Sequence, residues 1–562
     1  MIINHNIMSL SAVNISSITD KMLHKSIQPL ATGLKINSAA DDASGLAISE
    51  KMRSQIAGYD MAVRNAQDGL SMLRTAEGAL TNTNDMLHRM RELSVQASND
   101  VLTAEDRTHI QEEIDELKEQ INRISDYTHF NTKKLLDGTS GTLWSTDDIN
   151  VKIKVKGGLV SVDDEGNFKG TQADYRIEAK AKAGSTQTQK SNIMTVGEIK
   201  ISLIEGAEND DEEFSEDLYD VSERMLTLNE IEQFYTSEGA FMLEEPQNLK
   251  IIQGDGKSTS ITLYGGDTIH DVSKKINDAV ALNLGQGFYT DNANKFSTIT
   301  DGSNAKIYDD YGNVTGYEVK AALTVRSAVQ GQDGDIYFAG NENLLQALGF
   351  NTIQKSQDGE YEISIFNVHS GDTLVSDMKV TGSELKGVLN SNVDVEFSPM
   401  AGLTASWDEN HEKYLLKENG IYTANIHMSD NGITFQIGTN ESEYFRVRFG
   451  NVSSEALGVE RVNVMTPELA SRSITVLDEA IDSVVRQRSQ IVTHENAIEH
   501  SIANLASSGQ NLTVSKSRIT DADYAKSAMR YIEFQILSKT EQAVLTQANQ
   551  QPEAVFSLMG NS

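Results

Sequence analysis

The sequence contains no cysteine. Disulfides, thiolate metal sites and cysteine nucleophiles are thereby excluded together, and stability is left to packing. Proline is scarce, with 5 in 562 residues; tryptophan numbers 2, and aromatics make up 6%. Glycine numbers 40, a balance that suits long helices plus a glycine-punctuated β portion better than an enzyme core built on large aromatics. Positive charge is also short: 48 Lys and Arg stand against 82 Asp and Glu, a formal net charge of -34. A field of that sign repels phosphates, so no nucleic acid is expected as a partner. No run approaches the ~18 apolar residues needed to cross a bilayer, and no membrane partner is expected. The amino-terminal stretch has no Lys or Arg before Lys21 and no apolar core of signal type, so export, if it occurs, is expected to use a machine other than the general secretory one. At ~100–200 residues per domain, the length predicts three or four units rather than one core.

What is present is helical periodicity at both ends. From Ala43 to about Asn99 apolar residues fall at Met52, Ile56, Tyr59, Val63, Ala66, Leu70, Leu73, Leu80 and Leu87, in steps of four and three. Asp41 and Asp42 stand before this run as candidate caps, and some 55 helical residues would span on the order of 80 Å, too long for a globular core. Thr103 and Asp106 form a near capping box that opens a second helix through Ile110, Ile114, Leu117, Ile121 and Ile124. The alternation returns from Ile474 to Leu505, where Arg488 and Glu495 occupy seam positions. Two readings of that pair stay open: a seam that locally meets solvent, or an interhelical, register-setting charge pair.

The extreme ends repeat the pattern with shallower stripes: Ile3, Ile7, Leu10, Leu23 and Ile27 at one end, and Met529, Ile532, Ile536 and Ala543 at the other. Stripes this rich in Ala and Ser bury little area within one molecule, so they read as an assembly interface that requires a partner surface. Between about Gly138 and Pro467 the pattern changes to short alternating runs, such as Val151–Val155 and Ile199–Leu203, separated by turn clusters at 163–167, 254–256 and 311–313. The fold class expected is α+β: a long antiparallel coiled-coil or helical-bundle rod drawn from both termini, with β-rich central insert domains.

Both ends resemble the bacterial flagellins. LATGLKINSAADDASGLAISEKMRSQI at 30–56, NAQDGLSMLRTAEGAL at 65–80, MRELSVQASND at 90–100 and FNTKKLLDG at 130–138 are similar to the family's amino-terminal block. NLTVSKSRITDADYAKSAM at 511–529 and QAVLTQANQQPEAVFSLM at 542–559 are similar to its carboxy-terminal block. Inside the insert, ITLYGGDTIHDVSKKINDAV at 261–280 with NLLQALGF at 343–350 resembles a β-α module of flagellins and hook-associated proteins. Its helix should present Ile269, Val272, Ile276 and Val280 on one face. One departure is Pro29, which should kink or end its helix near Gln28.

The resemblance implies terminal helices at 1–42 and 510–562 in an inner filament core, and a helical rod with a β-hairpin at 43–178 and 432–509. It leaves 179–431 as a surface insert of two subdomains, with the module at about 250–350. The function implied is that of an exported, extracellular structural subunit that polymerises into the flagellar filament for swimming motility. The alternatives are a hook-filament junction protein, or a filament-displayed adhesin or glycan-binding protein acting through the insert. Implied partners are further copies of the chain, an export chaperone bound to the carboxy-terminal segment, the filament cap and hook-associated proteins, and a Toll-like receptor of a vertebrate host. The receptor positions matched are Arg89, Leu93 and Glu113.

No catalytic, cofactor-binding or metal-binding residues are assigned. Some flagellins carry a zinc protease in the insert, but His494-Glu495 is followed by His500, about 120° away round a helix, and His411-Glu412 has Leu415 where the second ligand belongs. The acidic run Glu208 to Asp220 lacks the glycine turn and ligand spacing of a calcium loop and reads as a solvated loop.

Overall fold

The computed structural model describes residues 6–148, 150–155, 161–162, 168–169, 173–203, 219–287, 295–309, 314–390 and 393–559. The turn clusters at 163–167 and 311–313, the acidic run from Glu208 to Asp217, and Ile3 lie outside them. Seven α-helices occur among the described residues: α1 (Ile7–Thr32), α2 (Ala43–Ala97), α3 (Ala104–Tyr127), α4 (Ile269–Asp278), α5 (Glu342–Leu348), α6 (Pro467–Thr520) and α7 (Tyr524–Met559). The chain divides into two compact units, Met1–Met72 with Thr434–Phe445 and His494–Ser562, and Leu73–Ile433 with Arg446–Thr493.

In the first unit, α1 lies along α7. Asn6 caps α1 through the Ser9 N–H, and Asp42 receives the Ser44 and Gly45 N–H groups at the start of α2, so the orphan donors of both helix starts find side-chain acceptors. The helix does not end near Gln28, one of the two outcomes expected at Pro29: α1 continues to Thr32. Proline removes only its own donor, while Gly33, at φ 74°, closes the turn by donating to the Pro29 carbonyl, and the Thr32 hydroxyl donates to Gln28 O. Around Gly33 the chain is tied to the turn between α6 and α7, where Lys35 N–H donates to Thr520 O at 2.6 Å and Ala522 N–H to Gly33 O at 2.9 Å. Two α2 glycines admit the segment 434–445: a Cβ on Gly69 would sit 3.3 Å from the Phe435 ring, and one on Gly58 2.8 Å from Thr439.

The second unit has a helical part and two β cores. Leu73, Leu80, Leu87 and Met90 of α2, Ile114 and Ile121 of α3, and Leu477 and Val484 of α6 are buried, as heptad spacing requires. The Thr103–Asp106 capping box is formed at α3. Arg488 at the α6 seam takes the interhelical reading: its guanidinium meets Glu77 of α2 at 2.8 Å, with both side chains about one-third exposed.

One β core surrounds a seven-stranded antiparallel sheet whose spine is Val314–Gln330. Residues 321 to 328 of that strand are buried without alternation, since both of its faces are covered. The same core holds the β-α module: the hairpin Gln247–Gln253 with Ser258–Leu263, the return strand Ile336–Gly340, and α4, capped by a Thr268–Asp271 box, with Ile269, Val272, Ile276 and Val280 all buried. The other core lies between a five-stranded sheet, ordered Thr373–Thr381, Glu360–Asn367, Ala173–Lys182, Ile421–Asp430 and Thr142–Thr146, and the three strands Glu384–Asn390, Val393–Phe397 and Val151–Val155.

Candidate assembly surfaces

The fully buried residues of α1 and α7 are small or hydroxylated. Ala12, Thr19, Ser538 and Ala548 are the buried ones, and the cross-helix bonds are Thr19 Oγ1 to Glu541 Oε1 at 2.6 Å, Ser9 Oγ to Asn549 Oδ1 at 2.7 Å, Ser538 Oγ to Asp20 Oδ1 at 3.2 Å and Asn6 Nδ2 to Ala548 O at 2.9 Å. Most of the large apolar side chains turn the other way, while Leu30, Tyr531, Phe534 and Leu545 are half-buried. Ile7, Leu10, Ile27, Met529, Ile532 and Ile536 are 39–69% exposed, Ala543 is exposed and Leu23 is half-buried.

Heptad reading of one stripe missed further members of this surface. Met8, Val13, Ile15, Ile18, Met22, Leu537 and Val544 are exposed as well, so α1 is apolar on more than one face. The available signal was the density of apolar residues over 7–18, which exceeds what a single stripe needs.

The three positions matched to a receptor surface lie where α2 and α3 face each other in the second unit. Arg89 Nε donates to Glu113 Oε1 at 2.8 Å, and an Arg89 terminal nitrogen reaches Glu92 at 3.3 Å; all three side chains are close to half exposed or more. Leu93 is different, being only 2% exposed. It lies three residues after the buried Met90 and beside Ser94, the buried residue that continues the Leu73, Leu80, Leu87 heptad. Next to this face Arg91 Nε pairs with Asp478 of α6 at 2.6 Å.

Among the described residues, no group of three or more His, Asp or Glu is placed to hold a metal ion, and no helix is long and apolar enough to cross a membrane. His494, considered above as a ligand, stands edge-on to Phe445 with ring centres 5.3 Å apart.

The model of the bacterial flagellin N-terminal helical region matches residues 3–141, and that of the C-terminal helical region matches residues 474–559. The chain belongs to the bacterial flagellin family. A flagellin of Clostridium tyrobutyricum is 28% identical over 557 residues, covering 98% of this chain and 100% of the relative. The B-type flagellin of Pseudomonas aeruginosa is 27% identical over 567 residues, covering 99% of each. A flagellin of Bacillus subtilis is 53% identical over 141 residues, which is 25% of this chain and 46% of that one. The chain is a structural subunit of the extracellular flagellar filament, self-polymerising, with a large central insert between its helical ends.

Proposed function

We propose that the subunit joins its neighbours through the outward apolar faces of α1 and α7, with Ile3, Ile7, Leu10, Leu23, Ile27, Met529, Ile532, Ile536 and Ala543 in the contact. The supporting observation is the inversion of these helices: their fully buried residues are small or hydroxylated, and most of their large apolar ones are exposed. Burying six large side chains that are about half exposed is worth on the order of 5–10 kcal/mol per subunit before the costs of association. In this reading 1–42 and 510–562 form the inner filament core, the helices of 43–178 and 432–509 the rod around it, and 179–431 the outer surface. The subunit has no reaction to catalyse; its work is mechanical. A carboxy-terminal helix with this much exposed apolar surface needs cover before assembly, which suits an export chaperone and passage through the flagellar type III system. The cap and hook-associated proteins meet the same surfaces at the filament ends. The Arg89–Glu113 pair is the exposed feature that a host Toll-like receptor would meet, with Leu93 holding the face from below.

The test is deletion of residues 1–30 or 525–562. Electron microscopy should then show no filaments, while circular dichroism shows the insert still folded. Filaments of normal diameter from either deletion would refute the assignment. Replacement of residues 180–430 by a short Gly-Ser linker should leave assembly intact.

A further inference from the structure

The second unit contains a closed circuit of alternating charge that begins and ends on α6. Glu479 of α6 pairs with Lys386, which lies 3.5 Å from Glu384 on the same strand. Lys154 of the neighbouring strand Val151–Val155 sits between Glu384, at 3.6 Å, and Glu396, at 2.9 Å. Glu396 is joined in turn by Arg461, from the turn before α6, and Arg461 reaches Asp333 of the module at 4.0 Å. Asp333 pairs with Arg472, back on α6, and Arg472 also donates to Gln332 O at 2.9 Å. Glu479 and Arg472 are two turns apart, on the same side of the helix.

This circuit links three bodies, α6 and the two β cores; the cores are also joined by the hairpin Leu403–Asp408 with Lys413–Glu418, whose Leu403 lies in one core while Ala405 and Tyr414 pack against the other. The three strands carrying Lys154, Glu384 and Glu396 belong to one β core, and Asp333 belongs to the other. The apolar link from the module to α6 is a small cluster of Ile252, Ala339, Met465 and Leu469. A cleft of about 770 Å³ opens beside the circuit, lined by Lys154, Asp333, Glu396 and Arg461 among others, so these parts are not packed solidly against one another. The backbone comes close at one point: Gly256, at φ 93°, would place a Cβ 2.6 Å from the Arg461 Cα.

We infer that this charge circuit is an electrostatic joint that sets the angle between the insert and the α6 segment of the rod. Its central members are poorly exposed, with Glu396 at 8% and Lys154 at 15%, so ordinary salt screens them less than surface pairs, and loss of one leaves its partners as orphan charges. The open cleft supplies the room into which the insert swings when the circuit is cut. The inference concerns how the insert is held and does not depend on which surfaces the filament uses.

The absence of cysteine makes the test direct. Spin labels on Val485→Cys of α6 and Leu374→Cys of the five-stranded sheet, both exposed positions, report the helix-to-insert distance in the full-length monomer by pulsed electron double resonance. Glu396→Gln is expected to widen the distance distribution at least twofold with far-UV circular dichroism unchanged. Lys386→Gln, at a more exposed link, is expected to widen it less and gives a second arm should Glu396→Gln not fold. About 1 M salt, where the screening length falls to ~3 Å, is expected to widen the parent distribution. Glu360→Gln, which breaks the exposed Lys182–Glu360 pair elsewhere on the same sheet, serves as control and should leave it unchanged. Distributions as narrow in the folded circuit variants as in the parent, or equal widening by Glu360→Gln, would overturn the inference.

Discussion

Asp430 stands where the outgoing insert strand Ile421–Asp430 meets the returning chain, and it offers a quantitative test of how that neck is held. Its carboxylate is 5% exposed, receives Arg448 at 2.9 Å and 2.8 Å through two nitrogens, receives Arg446 at 2.9 Å, and accepts the Gly432 N–H at 3.1 Å. Burial by itself would raise its pKa; the Arg448 hydrogen bonds, the Gly432 N–H and Arg446 outweigh burial and bring it from 3.8 to about 2. A depression of roughly two units is worth about 2–3 kcal/mol. The folded pKa lies below the unfolded one, so this stability is present above pH ~4 and lost as pH falls from about 4 towards about 2.

Asp430→Asn keeps the shape and removes the charge, leaving Arg448, only 12% exposed, without its counter-ion; breaking a buried pair in this way costs about 3–5 kcal/mol. Amide exchange at pH 7 in peptides covering 421–449 should therefore quicken by at least ~100-fold. Trp144 lies in the strand paired with this one, opposite Met428, and its fluorescence in a Trp407→Phe background follows the acid transition. The parent should lose signal between about pH 4 and 2, and Asp430→Asn should be flat in that window. Unchanged exchange, or an acid transition of the same size in the variant, would refute the clamp.

Three further outcomes are expected. Leu93→Ala should lower stability by about 2–5 kcal/mol in thermal denaturation through the cavity it leaves, whereas Arg89→Ala should cost at most ~1 kcal/mol, so a receptor-signalling assay should rest on the Arg89 variant. Burial pushes the Asp335 carboxyl up to about 6. Its contribution to stability is thus full below pH ~4 and falls as pH rises through about 6, and Asp335→Asn should melt higher than the parent at pH 8 but not at pH 4. Gly256→Ala should destabilise the module by more than ~1 kcal/mol, read as faster exchange in 247–263, because both its positive φ and the Arg461 backbone oppose a side chain.

Local and periodic features were legible in the sequence. The seams of α2, α3 and α6, the Thr103 box and the buried face of α4 follow from apolar spacing and capping residues within a few turns of chain. Features that depend on distant partners were not. Arg488 could be placed on a seam, but its counter-ion Glu77 lies on another helix 411 positions earlier. The spine strand Val314–Gln330 pairs with Thr186–Lys190 and Met194–Leu203, a register that no alternation within one strand encodes. Leu93 was matched by motif as a contact position, yet it is only 2% exposed, a burial that its own helix does not encode. The outward set on α1 was only half visible, because a heptad template selects one stripe from a helix that is apolar on several sides.

The small-residue contact between α1 and α7 bears on how new polymers begin. Two helices whose fully buried residues are Ala, Thr and Ser, joined by a few hydroxyl bonds, gain little from each other, while ordering them costs on the order of 1–2 kcal/mol per residue. With the outward faces of α1 and α7 as the proposed subunit contact, each incoming subunit recovers that cost only where several neighbours already offer apolar faces. Free monomers therefore meet a high nucleation barrier in solution, whereas an existing filament end removes it. Growth confined to a seed, with a sharp threshold concentration and long lag times in unseeded protein, follows from how little these two helices hold each other.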